Sequence, residues 1–530
     1  MFLIMSGAYV GQELQTEFGR IPPSFLPLGN KRLFQHQIKL ASSKSKLYLT
    51  VPESYKISNT DLGLLSDNNV TIVALPENLS LGESLVAALN LSEHNFEEPL
   101  ELLFGDTLFK ELPTGENFAS LSTVENNYHW AVTNESTTEW VHSNDGEFDS
   151  NEGENKVLNG YFKFSSPRQL LRSLAKSNWD FLKSLNSYRT ETNFRGVTSD
   201  SWLDFGHVNT YYSSKANFTT QRSFNDLKIN SNWVEKSSSK DIKIAAEANW
   251  FATLPYSLRE FTPQFLGSIT SNGKVSYKLE YLHFTALNEL YVFSELPSKI
   301  WKRILAECVT FLRACQLEIA SPDSPSNDLN ILFGKKTKQR LAEFCHTRNY
   351  KTDEKWKFDG ILASLDDLIQ LSNANLPSEK PISSILHGDF CFSNILYDFR
   401  SNKIKTIDPR GLNASGEITI YGDIYYDIAK LSHSIIGLYD WIIAGYFDVN
   451  LKDREIYLEI DTTSRQSDVQ QYFLQLIYEE FSLTLENVIA MQIQLFLSML
   501  PLHCDDKKRQ DALFANAFRL YKRLFELTRL

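Results

Sequence analysis

The stretch ILHGDFCFSNILYDFRSNKIKTIDPR, Ile385–Arg410, decides the fold of the second half of this chain. Within twenty residues it holds three side chains suited to metal and proton chemistry, Asp389, Asn394 and Asp408. A short apolar strand, Ile404–Ile407, leads directly into Asp408, so a β-hairpin would bring all three to one end of a sheet. There one carboxylate can take a proton from a hydroxyl while an amide and a second carboxylate hold Mg²⁺ on the phosphates of a nucleotide. The alternative is a chance scatter of Asp and Asn around a hairpin.

The pattern resembles the catalytic loop HGDxxxxN and the metal strand IDxx of the aminoglycoside phosphotransferase and choline kinase families. The resemblance implies an α+β protein-kinase-like phosphotransferase fold that uses ATP and Mg²⁺. It makes Asp389 the catalytic base, and Asn394 and Asp408 the metal ligands. Asp408-Pro409-Arg410 stands where protein kinases have DFG, and no GxGxxG loop occurs, so a small-molecule kinase is implied.

The composition is that of an acidic globular protein with more than one domain. At 530 residues, 42% hydrophobic and 22% charged, the chain is too long for one ordinary core, and two or three domains are expected. The net charge of −12 argues against nucleic acid as the main partner and is compatible with nucleotides and small-molecule substrates. Five cysteines without a CxxC pair favour a reducing cytoplasm over a zinc site or disulfides.

Two apolar segments could suggest a membrane. The N-terminal MFLIMSGAYV has no basic leader and no cleavage site, so it is predicted to be a buried first strand. The segment Ile435–Tyr446 is short and carries Asp440, which predicts a core helix. We therefore expect a cytoplasmic protein without membrane insertion, and the sequence is compatible with a homo-oligomer.

Alternating strands and helices over residues 1–225 predict a Rossmann-like α/β domain. We expect a helix at Leu81–Leu89 and strands at Met1–Met5, Lys46–Val51, Val70–Ala74, Leu100–Phe104, Tyr128–Thr133 and Val157–Phe164. A stretch rich in Ser, Asn, Thr and Lys, Ser213–Ser239, marks the junction between domains. Residues 226–530 are expected to form the second domain, with a small N-lobe over about 226–295 and a helical C-lobe over about 296–530.

An acidic insert, SNDGEFDSNEGEN, separates the last two of those strands. An EF-hand loop would need Gly at its sixth position and Glu at its twelfth, where this chain has Ser150 and Lys156. A solvated hairpin loop is therefore predicted.

A kinase also needs a cation on the nucleotide phosphates and an acid to hold that cation in place. By the resemblance, Lys236 at the end of a strand, Trp233–Lys236, is the cation, and Glu247 on the next helix, Ile242–Leu254, is its partner. Lys243 competes, because it lies four residues before Glu247 and could form an ordinary surface pair with it.

Two further segments match the same families. Leu279-Glu280-Tyr281 resembles the hinge between kinase lobes, where backbone groups of Glu280 and Tyr281 would meet adenine; an ordinary edge strand is the alternative. The segment GDIYYDIAK that begins at Gly422 resembles a helix start at which Asp423 or Asp427 caps the helix or braces the catalytic loop. His387 is expected to support that loop by hydrogen bonds rather than to act as a base.

The first half carries a second acidic pair. Asp106 follows the apolar strand Leu100–Phe104 and Gly105, and Asp204 lies in Trp202-Leu203-Asp204-Phe205-Gly206-His207. Two carboxylates at strand ends can hold a Mg²⁺ that bridges a nucleoside triphosphate and an attacking phosphate. The arrangement resembles the sugar-phosphate and phosphocholine nucleotidyltransferases, which have a GT-A-like Rossmann fold, a GD metal strand and a later WxDxGT motif. Here His207 stands where Thr is usual.

In that family a glycine-rich loop with basic residues follows the first strand. This chain offers Gly7 and Gly11 as backbone that would cradle phosphates, and Arg20 and Lys31 as cations that would stabilise their charge. The match is degenerate, so an inactive or repurposed domain stays open. The combined arrangement is similar to bacterial capsular polysaccharide biosynthesis proteins.

Two such sites on one chain make chemical sense if one makes the substrate of the other. The kinase would phosphorylate an alcohol, amino alcohol or sugar, and the transferase would couple that phosphate to a second NTP such as CTP. Products resembling CDP-choline, CDP-ethanolamine or an NDP-sugar stay open. The alternatives are an active kinase fused to an inactive binding module, and a scaffold protein that catalyses neither step.

Overall fold

The structure, a computed structural model, describes residues 1–530 except 93–94, 124–130, 134–138, 143–155, 220–225, 231, 238–240, 272–273, 326–327, 330, 464 and 530. The described residues form two compact units, Met1–Lys215 with Phe293–Glu295, and Ala216–Val292 with Leu296–Leu530. The acidic insert, the first part of the strand expected at Tyr128–Thr133 and the boundary expected at 225 lie outside the described residues.

The first unit is built on a mixed sheet with helices on both faces. Its strands are β1 Phe2–Met5, β2 Leu47–Pro52, β3 Val70–Leu75, β4 Leu100–Phe104, β5 Thr107–Phe109, β6 Phe118–Thr123, β7 Ala131–Thr133, β8 Val141–His142, β9 Lys156–Phe164, β10 Arg195–Thr198 and β11 Trp202–Asp204. Its helices are α1 Gln12–Phe18, α2 Phe34–Gln37, α3 Asn59–Asp67, α4 Leu81–Leu91, α5 Pro167–Lys176, α6 Phe181–Glu191 and α7 Val208–Thr219, the last of which continues past Lys215.

The order of the main sheet is β10-β6-β9-β4-β1-β2-β3. Strands β3, β2, β1 and β4 run parallel, whereas β9 runs antiparallel to β4 and β6. Along β1 the side chains alternate between two cores: Phe2 and Ile4 pack on one face, Leu3 and Met5 on the other. A strand buried on both faces must be apolar throughout, and FLIM satisfies that requirement. The mixed α/β arrangement places the carboxyl end of β4 beside that of β1.

The second unit combines a small antiparallel sheet with a largely helical remainder. Its strands are β12 Asp226–Ile229, β13 Trp233–Ser237, β14 Phe265–Ser271, β15 Lys274–Glu280, β16 Thr285–Ala286, β17 Trp356–Phe358, β18 Ile361–Ala363, β19 Ser384–Ile385, β20 Ile395–Asp398, β21 Lys403–Thr406, β22 Tyr421–Gly422, β23 Phe447–Lys452 and β24 Glu455–Ile460. Its helices are α8 Asp241–Thr253, α9 Tyr256–Arg259, α10 Leu287–Phe293, α11 Ser298–Leu317, α12 Lys336–Arg348, α13 Leu365–Ala374, α14 Ile424–Ile435, α15 Tyr439–Ala444, α16 Arg465–Phe481, α17 Leu485–Met499 and α18 Lys507–Leu527.

Two features of this unit position the catalytic candidates. Strands β12-β13-β15-β14 form one antiparallel sheet, on which α8 packs. Strands β20 and β21 form the hairpin expected from the sequence, with Ile395 opposite Thr406. At the open end of the hairpin, Asn394 directly precedes β20 and Asp408 follows shortly after β21.

Helices predominate after Leu296, as expected, but strands also occur outside the hairpin. Strands β18-β17-β24-β23 form a further sheet, in which β23 and β24 are joined at Asp453 and Arg454. Both turn residues have positive φ, 51° and 63°, which the hairpin requires and which neither residue type signals. The segment expected as a core helix, Ile435–Tyr446, holds the buried helix α15, which Leu438 at φ 56° separates from the end of α14 at Ile435.

One described helical segment, Leu485–His503, is long and apolar enough to cross a membrane by composition. It is 72% buried within the protein. Its first fifteen residues are α17, which begins with a capping box between Thr484 and Asn487. Such burial is typical of a core helix.

Candidate functional site

The three catalytic candidates of the second unit meet at the end of the hairpin. Asp389 precedes a 3₁₀ turn, Phe392–Asn394, that leads into β20. The Asn394 Nδ2 donates hydrogen bonds to the Asp389 carbonyl oxygen at 2.9 Å and to its Oδ2 at 3.1 Å. The Ile407 N–H donates to the Asn394 carbonyl oxygen at 3.0 Å, which brings Asp408 close to Asn394. Asp408 has a positive φ of 57°, a strained conformation of the kind that clusters at functional sites.

The loop is held from α14, as the sequence predicts. The N–H groups of His387 and Gly388 donate to the two carboxylate oxygens of Asp427 at 2.6 and 2.8 Å. Burial raises the pKa of Asp427 to about 7, and these two donors oppose the rise. Asp423 caps α14 by accepting from the Tyr425 N–H at 2.9 Å. The bracing and capping roles are thus divided between two carboxylates.

His387 supports the loop and is unsuited to proton transfer. Its Nδ1 accepts a hydrogen bond from the Asp389 N–H at 3.3 Å. Burial lowers the pKa of His387 to about 4, so the ring stays neutral at physiological pH. Next to it, Gly388 has φ 80°, and a Cβ there would lie 2.8 Å from the Arg410 Cβ. Only glycine fits that close approach.

Lys430 on α14 sets the charge state of Asp389. Its Nζ lies 2.7 Å from the Asp389 Oδ1. Burial alone would raise the pKa of Asp389, but Lys430, followed by Arg410, holds it well below its usual range. Asp389 is therefore ionised throughout the physiological range. An ionised carboxylate at this position can accept a hydrogen bond from a hydroxyl group and orient it.

On the side of the four-stranded sheet β12-β13-β15-β14, ion pairs link Glu247, Lys236 and Asp408. Lys236 at the end of β13 places its Nζ 2.7 Å from the Glu247 Oε2 and 3.0 Å from the Asp408 Oδ1. The Tyr277 hydroxyl donates to the same Glu247 Oε2 at 2.7 Å. Although burial opposes it, the two carboxylates raise the pKa of Lys236. The competing residue, Lys243, is exposed on α8, so the structure pairs Glu247 with Lys236 instead.

The hinge candidates, Glu280 and Tyr281, have their backbone donors occupied. The Glu280 N–H donates to the Gln264 carbonyl oxygen at 2.9 Å, and the Tyr281 N–H to the Asn232 carbonyl oxygen at 3.0 Å. The Tyr281 ring stacks edge-on against His283 at 4.8 Å. Adenine contacts at these two residues would therefore use their carbonyl groups or the Tyr281 ring, rather than the N–H groups.

In the first unit the two acidic candidates face each other, and we call Asp106 and Asp204 the acid pair. Antiparallel pairing of β5 with β11 sets Thr107 opposite Asp204. A Cβ on Gly206 would lie 2.9 Å from the Asp106 Oδ2 and 3.3 Å from the Asp204 Oδ1, so both carboxylates border the same small space. Burial and then the neighbouring Asp204 raise the pKa of Asp106 to about 6, and burial likewise raises the pKa of Asp204 to about 6.

Two cavities adjoin the acid pair. One, of about 240 Å³, follows the loop after β1 and is lined by residues that include Tyr9, Gly11, Asp106 and Gly206. The other, of about 420 Å³, is lined by both carboxylates together with Asn159, Phe162, Phe181 and Trp202, among others. Asp106 borders both cavities. A ligand in each could therefore meet at the acid pair.

The glycines of the loop after β1 differ in their roles. A Cβ on Gly7 would lie 2.8 Å from the Leu75 Cδ1, so packing of the loop against β3 explains that glycine. Gly11 lines the smaller cavity, has open space around its Cα and precedes α1. Of the two, Gly11 is the one placed to approach a ligand.

The two basic candidates lie away from the acid pair's cavities. Arg20 forms an ion pair with Glu77, and its guanidinium stacks 4.1 Å over the Tyr9 ring, which lines the smaller cavity. Lys31 is exposed in a turn, and its carbonyl oxygen accepts a hydrogen bond from the Leu28 N–H at 2.8 Å. Neither residue lines the two cavities as described. Their assignment as phosphate-stabilising cations would require both side chains to move.

The donor sets suit Mg²⁺ rather than a transition metal. No group of three or more His, Cys, Asp and Glu side chains able to hold a metal occurs among the described residues. The acid pair presents carboxylate oxygens, and the Asp204 Oδ2 is buried without a hydrogen-bond partner. In the second unit Asn394 and Asp408 present an amide and a carboxylate. Mg²⁺ is commonly bound by one or two carboxylates plus phosphate oxygens and water, so both sets fit it.

No protein-family model and no curated protein sequence matches the chain. Several solved structures do. A thermostable mutant of aminoglycoside phosphotransferase APH(4)-Ia is 13% identical over 58% of this chain and 98% of its own, with a TM-score of 0.35. Macrolide 2'-phosphotransferase MphH from Brachybacterium faecium is 13% identical over 54% of this chain and 84% of its own, with a TM-score of 0.30.

A third match is the inositol-1-phosphate CTP transferase from T. maritima, 16% identical over 42% of this chain and 97% of its own, with a TM-score of 0.31. The matched structures thus include kinase-like phosphotransferases and a nucleotidyltransferase. At these identities and TM-scores the similarity carries no argument about activity. We therefore argue function from the chain's own side chains.

Sequence reasoning missed three polar residues of the second site. Lys430 stands in the quoted segment GDIYYDIAK, three residues after Asp427 and on the same helix, and that spacing was the available signal. Arg410 stands two residues after Asp408. Tyr277 lies on β15 and carries no local signal, because its contact with Glu247 depends on how α8 packs against the sheet.

Proposed function

We propose that the second unit is a small-molecule kinase and the first unit a nucleotidyltransferase that uses the kinase's phosphorylated product. The observation that carries the kinase proposal is the constellation around Asp408. Lys236 forms ion pairs with both Glu247 and Asp408. Asn394 donates a hydrogen bond to Asp389, and Lys430 forms an ion pair with the Asp389 carboxylate and keeps it ionised.

In the kinase step the acceptor hydroxyl oxygen attacks the γ-phosphorus of ATP, the bond from that phosphorus to the β–γ bridging oxygen breaks, and ADP leaves. Asp389 orients the hydroxyl through one carboxylate oxygen and accepts its proton, which then passes to water. Lys236, held by Glu247, neutralises nucleotide phosphate oxygens. Asn394 and Asp408 would hold Mg²⁺, which supplies further neutralisation of those oxygens when bound.

In the transferase step a phosphate oxygen of the phosphorylated acceptor attacks the α-phosphorus of a second NTP, such as CTP, and pyrophosphate leaves. The acid pair would hold Mg²⁺, which supplies charge neutralisation between the two phosphates when bound. The smaller cavity, with Gly11 and Tyr9, suits the nucleotide, and the larger one the phosphorylated acceptor. The proposal is supported by the position of Asp106, which borders both cavities.

The product would be a nucleotide-activated precursor for a surface polysaccharide. Support for that route is the sequence resemblance and the order of the two reactions. The competing function, an active kinase fused to an inactive transferase-like module, is favoured by two contacts: Arg20 pairs with Glu77, and Gly7 is explained by packing on Leu75.

The test incubates the full chain with Mg²⁺, ATP, CTP and a panel of alcohols, amino alcohols and sugars, and reads ADP, pyrophosphate and the coupled product by mass spectrometry. Asp389→Asn should abolish ADP formation and leave pyrophosphate release from pre-formed phosphate esters intact. Asp106→Asn should do the reverse. Asp67→Asn and Asp453→Asn, exposed carboxylates of the first and second unit, are the matched controls.

Each outcome separates one reading from the others. ADP without pyrophosphate from any NTP supports the kinase with an inactive module. If neither ADP nor pyrophosphate is formed, the result supports a scaffold protein. Unchanged ADP formation in Asp389→Asn would show that the base is assigned wrongly.

A further inference from the structure

Four cationic side chains of the second unit gather beside Asp389, and we call Lys336, Arg340, Arg410 and Lys430 the basic cluster. Lys336 begins α12, directly after a π-helical turn, Ile331–Lys335, and Arg340 follows one helical turn later on the same face. π-helical turns are rare and occur frequently at functional sites. The proposed kinase chemistry uses only Lys430 of these four.

Named contacts tie α12 to the catalytic loop. The Phe333 ring, in the π-helical turn, lies 5.7 Å from the Tyr426 ring on α14. The Arg410 guanidinium lies 5.2 Å from the centre of that same Tyr426 ring and donates to its hydroxyl at 3.2 Å. The Arg410 N–H donates to the His387 carbonyl oxygen at 2.8 Å. The cluster therefore lies against the loop that carries Asp389.

The charges of the cluster are only partly balanced from within the protein. Lys430 is matched by Asp389, and the charges of Asp389 and Asp427 also favour the charged form of Arg410. Among the described residues, no carboxylate oxygen lies within 4 Å of a charged nitrogen of Lys336, Arg340 or Arg410. Burial, followed by repulsion from Arg410, Arg340 and Lys430, lowers the pKa of Lys336 to about 7. Half-buried like charges at this spacing destabilise the fold unless an anion joins them, and a chain with net charge −12 has no general excess of cations to explain them.

The side of the site on which the cluster lies points to the acceptor rather than to ATP. Lys236 contacts Asp408, the candidate metal ligand, and so belongs to the nucleotide side. Lys430 and Arg410 of the basic cluster interact with Asp389, the residue that would take the acceptor's proton, and so does Lys336. Lys336 and Arg340, which have no carboxylate partner within 4 Å among the described residues, match, together with Arg410, an oxyanion carried by the molecule that bears the reacting hydroxyl.

We propose that Lys336, Arg340 and Arg410 bind a carboxylate or phosphate group of the acceptor, so that the kinase acts on an acidic alcohol. The proposal rests on the kinase function proposed above and narrows it. A hydroxy acid, a sugar acid or an already phosphorylated alcohol fits the cluster. Choline, ethanolamine and amino sugars would bring a further cation beside Lys336, Arg340 and Arg410, and they should be poor substrates.

The first test compares two matched sets of acceptors with the full chain, ATP and Mg²⁺. The first set is glycerol, ethanolamine, glycerate and glycerol 3-phosphate. The second set is glucose, glucosamine, glucuronate and glucose 6-phosphate. In each set an anionic member should have the highest kcat/KM for ADP release. The carboxylate and phosphate members distinguish the two sources of the oxyanion. A neutral or cationic member that exceeds both anionic ones overturns the proposal and leaves the kinase function standing.

Substitution on α12 tests the residues. Lys336→Gln should raise KM for the best anionic acceptor about 10- to 100-fold, the loss of one charge-assisted hydrogen bond, and leave KM for ATP within about twofold. Lys338→Gln, an exposed lysine two residues along the same helix, removes the same charge and should change neither constant. Equal KM values in the two variants would overturn the assignment of Lys336.

A binding measurement keeps the inference separate from activity. Inorganic sulfate, the probe, should raise the unfolding temperature of the full chain and of Lys338→Gln, and should raise that of Lys336→Gln less. If no acceptor leads to ADP release but the stabilisation by sulfate still depends on Lys336, the oxyanion site stands and the kinase function fails. Sulfate stabilisation that is equal in both variants overturns the site.

Discussion

Asp106→Asn should stabilise the metal-free protein while it abolishes pyrophosphate release. Burial and the facing Asp204 raise the pKa of Asp106 from 3.8 to about 6. For a carboxyl whose pKa is raised in the folded state, stability is full below the unfolded pKa and is lost as pH rises through the folded pKa. At about 1.4 kcal/mol per pKa unit, the ionised carboxylate costs about 3 kcal/mol at neutral pH. An amide of the same shape removes that cost.

The realised gain should be smaller, about 1 to 3 kcal/mol, because Asp204 relaxes when its neighbour is neutral. The polar contact at stake is weak: the Thr107 hydroxyl donates to the Asp106 Oδ1 at 3.4 Å. Thermal unfolding in EDTA should show the first unit's transition raised by several degrees, and Asp67→Asn should leave it unchanged. Adding Mg²⁺ should stabilise the unsubstituted protein and not the variant. A lowered transition in EDTA would refute the reasoning that the acid pair is an uncompensated, metal-seeking site.

The pH dependence of the two reactions should differ, because the acid pair takes up protons below about pH 6 whereas Asp389 stays ionised. Pyrophosphate release should therefore fall about tenfold per pH unit below 6, with ADP release persisting, and parallel pH–rate profiles check this. Lys236→Met should lower kcat/KM for ATP about 100-fold or more, since Glu247 and the nucleotide both lose their cation, while the exposed Lys243→Met changes it little. Asp440→Asn should remove a stability cost that grows between about pH 4 and 6, because burial raises the pKa of Asp440 to about 6. In urea unfolding, the free energy of unfolding of the variant should equal that of the unsubstituted protein at pH 4. At pH 7 it should be higher by up to about 3 kcal/mol.

The regular elements of the first unit are readable from the sequence because their patterns are local. Four mostly apolar strands, β1 to β4, and a helix that begins with the Ser80 and Glu83 capping box appear within a residue or two of their predicted bounds. The hairpin β23–β24 was missed although its strands alternate. Its turn uses Asp453 and Arg454 at positive φ, where Gly or Asn would have been the signal.

The same distinction between local and long-range information holds for the candidate sites. Asp389, Asn394 and Asp408 lie in one short segment, so their spacing alone predicts that they meet. Lys430 reaches Asp389 from a helix more than thirty residues further along the chain, and the distance of 2.7 Å follows from how α14 braces the loop through Asp427. Lys336 is more than fifty residues away in the other direction. No spacing rule connects those positions.

The basic residues of the first unit show why type and position alone mislead. Arg20 has the charge that a phosphate site needs and stands near the glycine loop in sequence, but a carboxylate, Glu77, is within its reach and takes it. Whether a cation is free for a ligand depends on which acids the fold brings near it. A single sequence does not contain that information.

The two candidate sites differ in how their charges are balanced, and the difference decides how each should respond to conditions. In the second unit the carboxylates have internal partners: Lys430 holds Asp389, and Lys236 holds Asp408. In the first unit the carboxylates of the acid pair face each other, with hydrogen bonds from the Thr107 hydroxyl and the Gly206 N–H, and burial raises the pKa of both to about 6. A site that carries its own counter-charges keeps its geometry without metal. One that lacks them needs an added cation to bring its carboxylates together in ionised form, so withdrawal of Mg²⁺ should disorder the acid pair before it affects the catalytic loop.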